Sequence, residues 1–196
     1  MKNLNLFLFA AGTALLTACG GSAEKAVEPV VATYTLDASA STLEWTGFKK
    51  GVEEGQHSGT INFVSGTAET TDDVITSGSV TLDAKSIATT DELGPAKDAL
   101  NGHLQNPDFF DAEKYPTIEV TYGELKDGKL PTTVKVLGTE FKQDVEVAST
   151  VNGDQLNVTG KFTFDFEGIT SPGFGAGGET RILPQIDFNL NLVFKK

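Results

Sequence analysis

Few side chains in this sequence can do covalent or acid–base chemistry. Its 196 residues include two histidines, His57 and His103, one cysteine, Cys19, and one arginine, Arg181. An imidazole acts as a base or a metal ligand only in company, with an acid to orient it, a nucleophile to activate or further ligands beside it. Neither histidine has such a set assembled around it in sequence, and no His-x-x-x-His or Cys-x-x-Cys spacing occurs. The glycine-rich run "SPGFGAGGET", Ser171 to Thr180, lacks the Lys and Ser/Thr of a phosphate loop and does not open a helix, so it is expected to be a loop. Catalysis, metal binding and cofactor binding are therefore not expected, and His103 is expected to pack.

Cys19 is the exception, because its setting gives it a chemistry. The start "MKNLNLFLFAAGTALLTACGG" has a charge at Lys2, an apolar run from Leu4 to Leu16 and small residues before the cysteine. That is the pattern of a secretory signal, too short for a membrane span. Leu16-Thr17-Ala18-Cys19 resembles the lipobox of bacterial lipoproteins, in which the cysteine is acylated and becomes the new N-terminus. Residues 1–18 are expected to be removed, 19–31 to form an acylated cysteine and flexible tether, and 32–196 to form one domain. The protein is then an exported lipoprotein of the cell envelope, on the periplasmic face of the outer membrane. Loss of Lys2 leaves 14 Lys and Arg against 27 Asp and Glu, a formal charge of −13. With no cluster of basic residues, nucleic acid is excluded as a partner.

Along the chain from Thr33 onward the dominant signal has period two. In "LNVTGKFTFDF", Leu156, Val158, Gly160, Phe162, Phe164 and Phe166 share one face, and "ILPQIDFNLNLVF" repeats the pattern from Ile182 to Phe194. Long alternation of this kind means strands with one dry face, hence an antiparallel sheet. Shorter alternating runs start at Thr33, Ser41, Gly59, Ser77, Thr117, Thr132 and Glu140, and Asp127-Gly128 and Asn152-Gly153 mark hairpin turns. About nine strands must manage their edges, and closure into a barrel does so most simply.

One stretch breaks the rhythm. In "TTDELGPAKDALNGHLQNP", Thr89 and Glu92 stand at capping-box spacing, Leu93, Ala96, Leu100 and His103/Leu104 recur at helical spacing, and Pro107 ends the run. Directly after comes Phe109-Phe110 on an irregular turn between two prolines. A surface loop has no use for two adjacent phenylalanines unless apolar space lies beneath it. The helix and this turn are expected to cover a barrel end, one ring packing on the wall and the other turning to the interior.

The run from "SVTLDAKSI" through "LNGHLQNPDFFDAEKYPTIEV", with "LEWTGFK" and "HSGTINFVSG" upstream, resembles the YceI-like family of exported bacterial proteins. The resemblance is most specific in Asp83–Ile87, Gly102–Leu104 and Asp108–Asp111 followed by Tyr115-Pro116. It implies an all-β, lipocalin-like antiparallel barrel of about eight strands with one short helix and a lid-like loop. It also implies an apolar interior that holds a long isoprenoid or fatty chain. Members of the family often carry a basic residue where this chain has Phe166 and Glu167.

Combining the alternating faces with the resemblance, the residues expected to contact such a chain are Trp45, Phe63, Leu82, Leu100, His103, Phe109, Phe110, Val120, Phe162, Phe164, Ile186 and Phe188. Cys19 is the expected attachment site for the membrane. Gly160 and other small inward residues are expected to leave the interior open. The expected function is sequestration or transport of an apolar lipid: an isoprenoid, a quinone, or a fatty acid or amide. The strong negative charge favours a neutral head over a diphosphate. Arg181 is expected to be solvated, or else to meet the head. Alternatives are an enzyme acting on a lipid in the same cavity, a structural or stress-related envelope lipoprotein, and an outer-membrane barrel. Against the last, one Trp and three Tyr are few for two aromatic girdles. The oligomeric state is open, a homodimer being one option.

Overall fold

The computed structural model describes residues 28–51, 55–173 and 180–196. The signal segment, Cys19 and most of the tether lie outside the described residues.

Alternation becomes strands almost everywhere it occurs. They are β1 (Val31–Leu36), β2 (Thr42–Gly51), β3 (Gly55–Thr60), β4 (Phe63–Thr71), β5 (Val74–Asp83), β6 (Ala88–Thr89), β7 (Thr117–Tyr122), β8 (Lys129–Val136), β9 (Thr139–Glu146), β10 (Ala148–Asn152), β11 (Gln155–Asp165) and β12 (Thr180–Lys195). All pairings are antiparallel, in the order β6-β3-β2-β12-β1-β4-β5-β7-β8-β9, with β11 paired to both β12 and β10. The result is the expected lipocalin-like barrel. Its strand number exceeds expectation because two expected strands are each divided and because the two-residue β6 forms where the helix was expected to start. The run from Gly59 breaks at Ile61-Asn62, and the run from Glu140 changes partner at Val147, whose N–H donates to Gly128 O at 3.0 Å.

Closure depends on two features. The sixteen-residue β12 pairs with β11 along one edge, and with β2 and then the end of β1 along the other. Opposite it, β9 lies beside β11 without a backbone ladder, so the sheet is not strictly closed by main-chain bonds. One side chain spans the gap. Gln143 Nε2 donates to Thr163 O at 2.7 Å, and Asp165 N donates to Gln143 Oε1 at 3.0 Å. The amide thus offers a donor and an acceptor as a strand residue would.

The far end of the barrel is solid. Tyr34, Leu156 and Phe194 are fully buried there. The turn after β1 is tied to β12, since Asp37 N donates to Val193 O, Val193 N to Ser41 Oγ, and Lys195 Nζ to Asp37 Oδ2.

The helix is α1 (Ala96–Gln105), followed by Asn106 as its C-cap as the sequence suggests, but its start differs. Thr89 lies in β6 and donates its hydroxyl to Ser58 O at 2.8 Å, so it caps no helix. Gly94, with φ +55°, and Pro95 turn the chain into α1, which has no side-chain cap. Ala96 is accordingly exposed, and Leu100 and Leu104 carry the inward stripe.

Two predictions follow from these closures. Gln143→Ala removes both seam bonds and is expected to cost about 1–2 kcal/mol in urea unfolding, with faster hydrogen exchange at the Asp165 amide; unchanged exchange would mean the seam is held otherwise. At the far end, hydrogen bonds from Lys195 and then Ser39 hold Asp37 at about 2, below the ordinary 3.8. A carboxyl depressed in the folded state stabilises it fully above the unfolded value, and the effect is lost as pH falls through the folded one. Acid titration of the Tm should show this loss between about pH 4 and 2, and Lys195→Met should flatten it.

Candidate functional site: an apolar cavity with a polar rim

The inward faces do not meet at the barrel axis; they enclose a cavity of about 600 Å³. Its wall can be followed rung by rung along β11 and β12. Register places Val158 opposite Leu192, Phe162 opposite Phe188 and Phe164 opposite Ile186, and all six side chains line the space. On the other edge of β12, Trp45 stands opposite Phe188 and Leu43 opposite Leu190. Trp45 Nε1 donates to Thr60 O at 3.2 Å, which satisfies the indole and fixes its ring against the wall.

All twelve residues singled out from the sequence as contacts for a chain line this cavity: Trp45, Phe63, Leu82, Leu100, His103, Phe109, Phe110, Val120, Phe162, Phe164, Ile186 and Phe188. The source of the open space is not the expected one. A Cβ on Gly160 would stand 2.8 Å from Glu146 O and 3.0 Å from Val147 Cγ1, so that gap is filled by the kink between β9 and β10. Gly47 does open space. It lines the cavity, and a Cβ there would meet only Ile186 Cδ1, at 3.6 Å. The expected division of labour between the two phenylalanines also changes, because both rings line the cavity, Phe109 buried and Phe110 half-buried.

Polar groups on the wall are satisfied from within the protein. Tyr122 OH donates to Thr67 O at 2.9 Å, and Thr132 Oγ1 to Leu130 O at 2.9 Å. Burial pushes the Tyr122 phenol up, so it stays neutral.

The remaining polar groups gather at the helix end, which forms the rim. His57 Nδ1 pairs with Asp91 Oδ2 at 2.7 Å, tying β3 to the segment before α1. Burial pushes the Asp91 carboxyl up, but hydrogen bonds from His57 and the Ser58 N–H outweigh it and hold the group below its ordinary value. His103 Nε2 meets Asp108 Oδ2 at 3.1 Å, and its ring meets Phe109 edge-on with centroids 4.9 Å apart. His103 is thus a half-exposed rim residue rather than a buried packing one. Ser171 Oγ and Gly173 N both donate to Asp108 O, clasping the loop after β11 onto the Phe109 turn. Arg181 is exposed, as expected.

Sequence reasoning did not assign Lys49, His57 and Asp108 to the cavity, although each lines it. Spacing offered a clue for Asp108, five residues after His103. The Asp91 partnership, across 34 residues, had none. Among the described residues neither histidine's second ring nitrogen meets a hydroxyl, and no three His, Cys, Asp or Glu side chains converge on a metal position.

The YceI-like domain profile matches residues 34–194, from within β1 to within β12. The chain belongs to the YceI-like domain family. Among solved structures, Burkholderia cenocepacia BcnA is similar at 16% identity, with 81% of this chain and 98% of that one covered and a TM-score of 0.61. A polyisoprenoid binding domain from Saccharophagus degradans, implicated in plant cell wall breakdown, is similar at 16% identity, with 83% and 97% covered and a TM-score of 0.57. At that identity the likeness is one of fold. No curated protein matches the sequence.

The clasp generates a prediction for this YceI-like barrel. A Cβ on Gly173 would stand 2.6 Å from Phe109 Cζ and would also crowd Asp108 O. Gly173→Ala should therefore release the loop, seen as faster hydrogen exchange at residue 173. Phe109→Ala should cost about 3–5 kcal/mol. Equal exchange in Gly173→Ala and wild type would show that the clasp tolerates the methyl.

Proposed function

We propose that this protein binds one apolar lipid, tail inward, and sequesters or carries it within the bacterial cell envelope. The observation that carries the reading is a cavity of about 600 Å³ whose wall is hydrocarbon and whose histidine–carboxylate pairs stand at one end. A tail needs no polar contact to be held, because each buried methylene contributes about 0.8 kcal/mol. An isoprenoid, a quinone or a fatty acid or amide meets this requirement. The relative from Saccharophagus degradans, a polyisoprenoid binding domain, supports it by analogy. At the rim, two carboxylates already paired with histidines favour a neutral head over a diphosphate.

The envelope setting rests on the N-terminal sequence. Leu16-Thr17-Ala18-Cys19 supports acylation of Cys19 and attachment at the periplasmic face of the outer membrane. Two or three acyl chains hold a protein stably where one is marginal.

Two experiments test these readings. Organic extracts of protein purified from its native envelope should contain one stoichiometric long-chain lipid by mass spectrometry. Trp45 is the only tryptophan and lines the cavity, so rebinding should change its fluorescence. Absence of any lipid together with silence of Trp45 towards every chain offered would end the proposal, and turnover of the lipid would replace it with an enzyme. Separately, Cys19→Ala should move the protein from membrane to soluble fractions or stall its processing. Unchanged fractionation with normal processing would remove the anchor.

A further inference from the structure

We propose that the barrel stands on its anchoring membrane by its closed end, with three exposed valines against a zwitterionic lipid surface and its mouth turned away; the inference rests on the Cys19 anchor proposed above. The place where the chain enters the barrel carries it. Val30 N donates to Asp72 Oδ1 at 2.9 Å and Asp72 N to Val30 O at 2.8 Å, so the segment coming from Cys19 joins the fold at the turn between β4 and β5. That turn lies at the end opposite the helix. β4 begins at Phe63 on the cavity wall, where Asn62 N donates to Ser86 Oγ and Gln105 Nε2 of α1 to Lys85 O, and it ends at Thr71 beside Val31. β1 agrees, since from Thr35 opposite Lys195 it continues to Val31 beyond the end of β12.

This end is apolar where water would be expected to meet polar side chains. Val31, Thr71 and Val74 form one outward rung across β1, β4 and β5. Val30, Val31 and Val74 are 63%, 68% and 44% exposed, and the other large apolar residue so exposed among the described residues, Val64, lies at the far end of β4. Apolar side chains clustered where an acyl anchor arrives add their own buried area to the hold of the acyl chains. Local charge selects the surface. Leu125 N donates to Ile75 O, which joins the turn after β7 to this end, and on the two turns Asp72, Asp73, Glu124 and Asp127 outnumber Lys126 and Lys129. An anionic surface would repel them. Reach separates the two orientations. The eleven residues from Cys19 to Val30 span at most about 40 Å. From the valine rung to Phe63, β4 rises about 20 Å along the axis at a tilt of about 40°, and α1 adds about 10 Å. A mouth set on the membrane would need the tether to run back over nearly all of this, whereas a closed end set there needs none of it. Lipid then enters and leaves the cavity on the side away from the anchoring membrane.

The test uses the natively processed full-length protein, reconstituted in phosphatidylcholine vesicles that contain a phospholipid with a nitroxide on its head. Cys19 is the only cysteine and is acylated on this reading, so one introduced cysteine is the sole free thiol for a fluorophore. It is placed by Lys126→Cys at the closed end or by Ala99→Cys on the exposed side of α1. Quenching at 126 should exceed that at 99 by about threefold or more. Val31→Asp combined with Val74→Asp, both at exposed positions, should leave the protein on the vesicles through Cys19 and lower quenching at 126 by about twofold or more. Equal quenching at the two labels, stronger quenching at 99, or no change in the doubly substituted protein overturns the proposed seating while leaving the anchor intact. Protein that does not stay on the vesicles ends the anchor reading, and this inference with it.

Discussion

The pairing of β12 with three neighbours is the constraint on which this barrel depends. A sixteen-residue strand that carries β11 on one edge and β2 with β1 on the other sets the tilt of half the wall, and its inward residues supply one side of every rung from Ile186 to Phe194. Because side chains alternate strictly along a strand, a slip of one residue would turn all of these rungs outward. The outward set argues against any such slip. Thr163 bonds Asp187, Asn189 bonds Glu44 and Gln185 bonds Asp165, so the polar face is stitched in the same register that the apolar face needs. The outward face of these strands is polar, unlike the apolar outer band of a membrane-spanning barrel.

Much of this was legible in the sequence because it is written with period two. The faces of β11 and β12 follow from alternation, the twelve wall positions from alternation together with the family resemblance, and the short helix shows as the one stretch where alternation stops. What was not legible depends on contacts between distant segments. Thr89 and Glu92 have capping-box spacing, yet Ser58 takes the threonine hydroxyl from 31 residues away and Gly94-Pro95 starts the helix later. Gln143 stands between Phe141 and Val145 in β9, and only the neighbouring β11 backbone explains it. Gly160 looked like empty space for the same reason: the kink at Val147 that occupies it lies on another strand.

The clasp at the rim joins these two kinds of information. Asp108 is locally recognisable as part of the "NPDFFD" turn, but its carbonyl accepts from both Ser171 and Gly173, 63 and 65 residues on, and its carboxylate faces His103 on the helix. Thus one residue holds α1, the phenylalanine turn and the loop after β11 together. The cavity opens among elements that are each short and weakly paired by themselves. Their local stability comes from this shared contact, the usual arrangement for segments beside a ligand entrance.

Placement of charge then explains why such a rim can serve an apolar cavity at all. An unpaired charge facing hydrocarbon would be costly, and a strongly acidic protein would repel any anionic head approaching it. Here each rim imidazole meets a carboxylate, and the hydroxyls deeper in the wall are satisfied by backbone carbonyls. Hydrogen-bonding capacity is therefore spent before any ligand arrives, and a tail entering the cavity strips no donor or acceptor of its partner. Binding strength in such a site has to come from hydrocarbon area and fit, which makes the apolar wall, rather than any ionisable group, the part that would set what the barrel can hold.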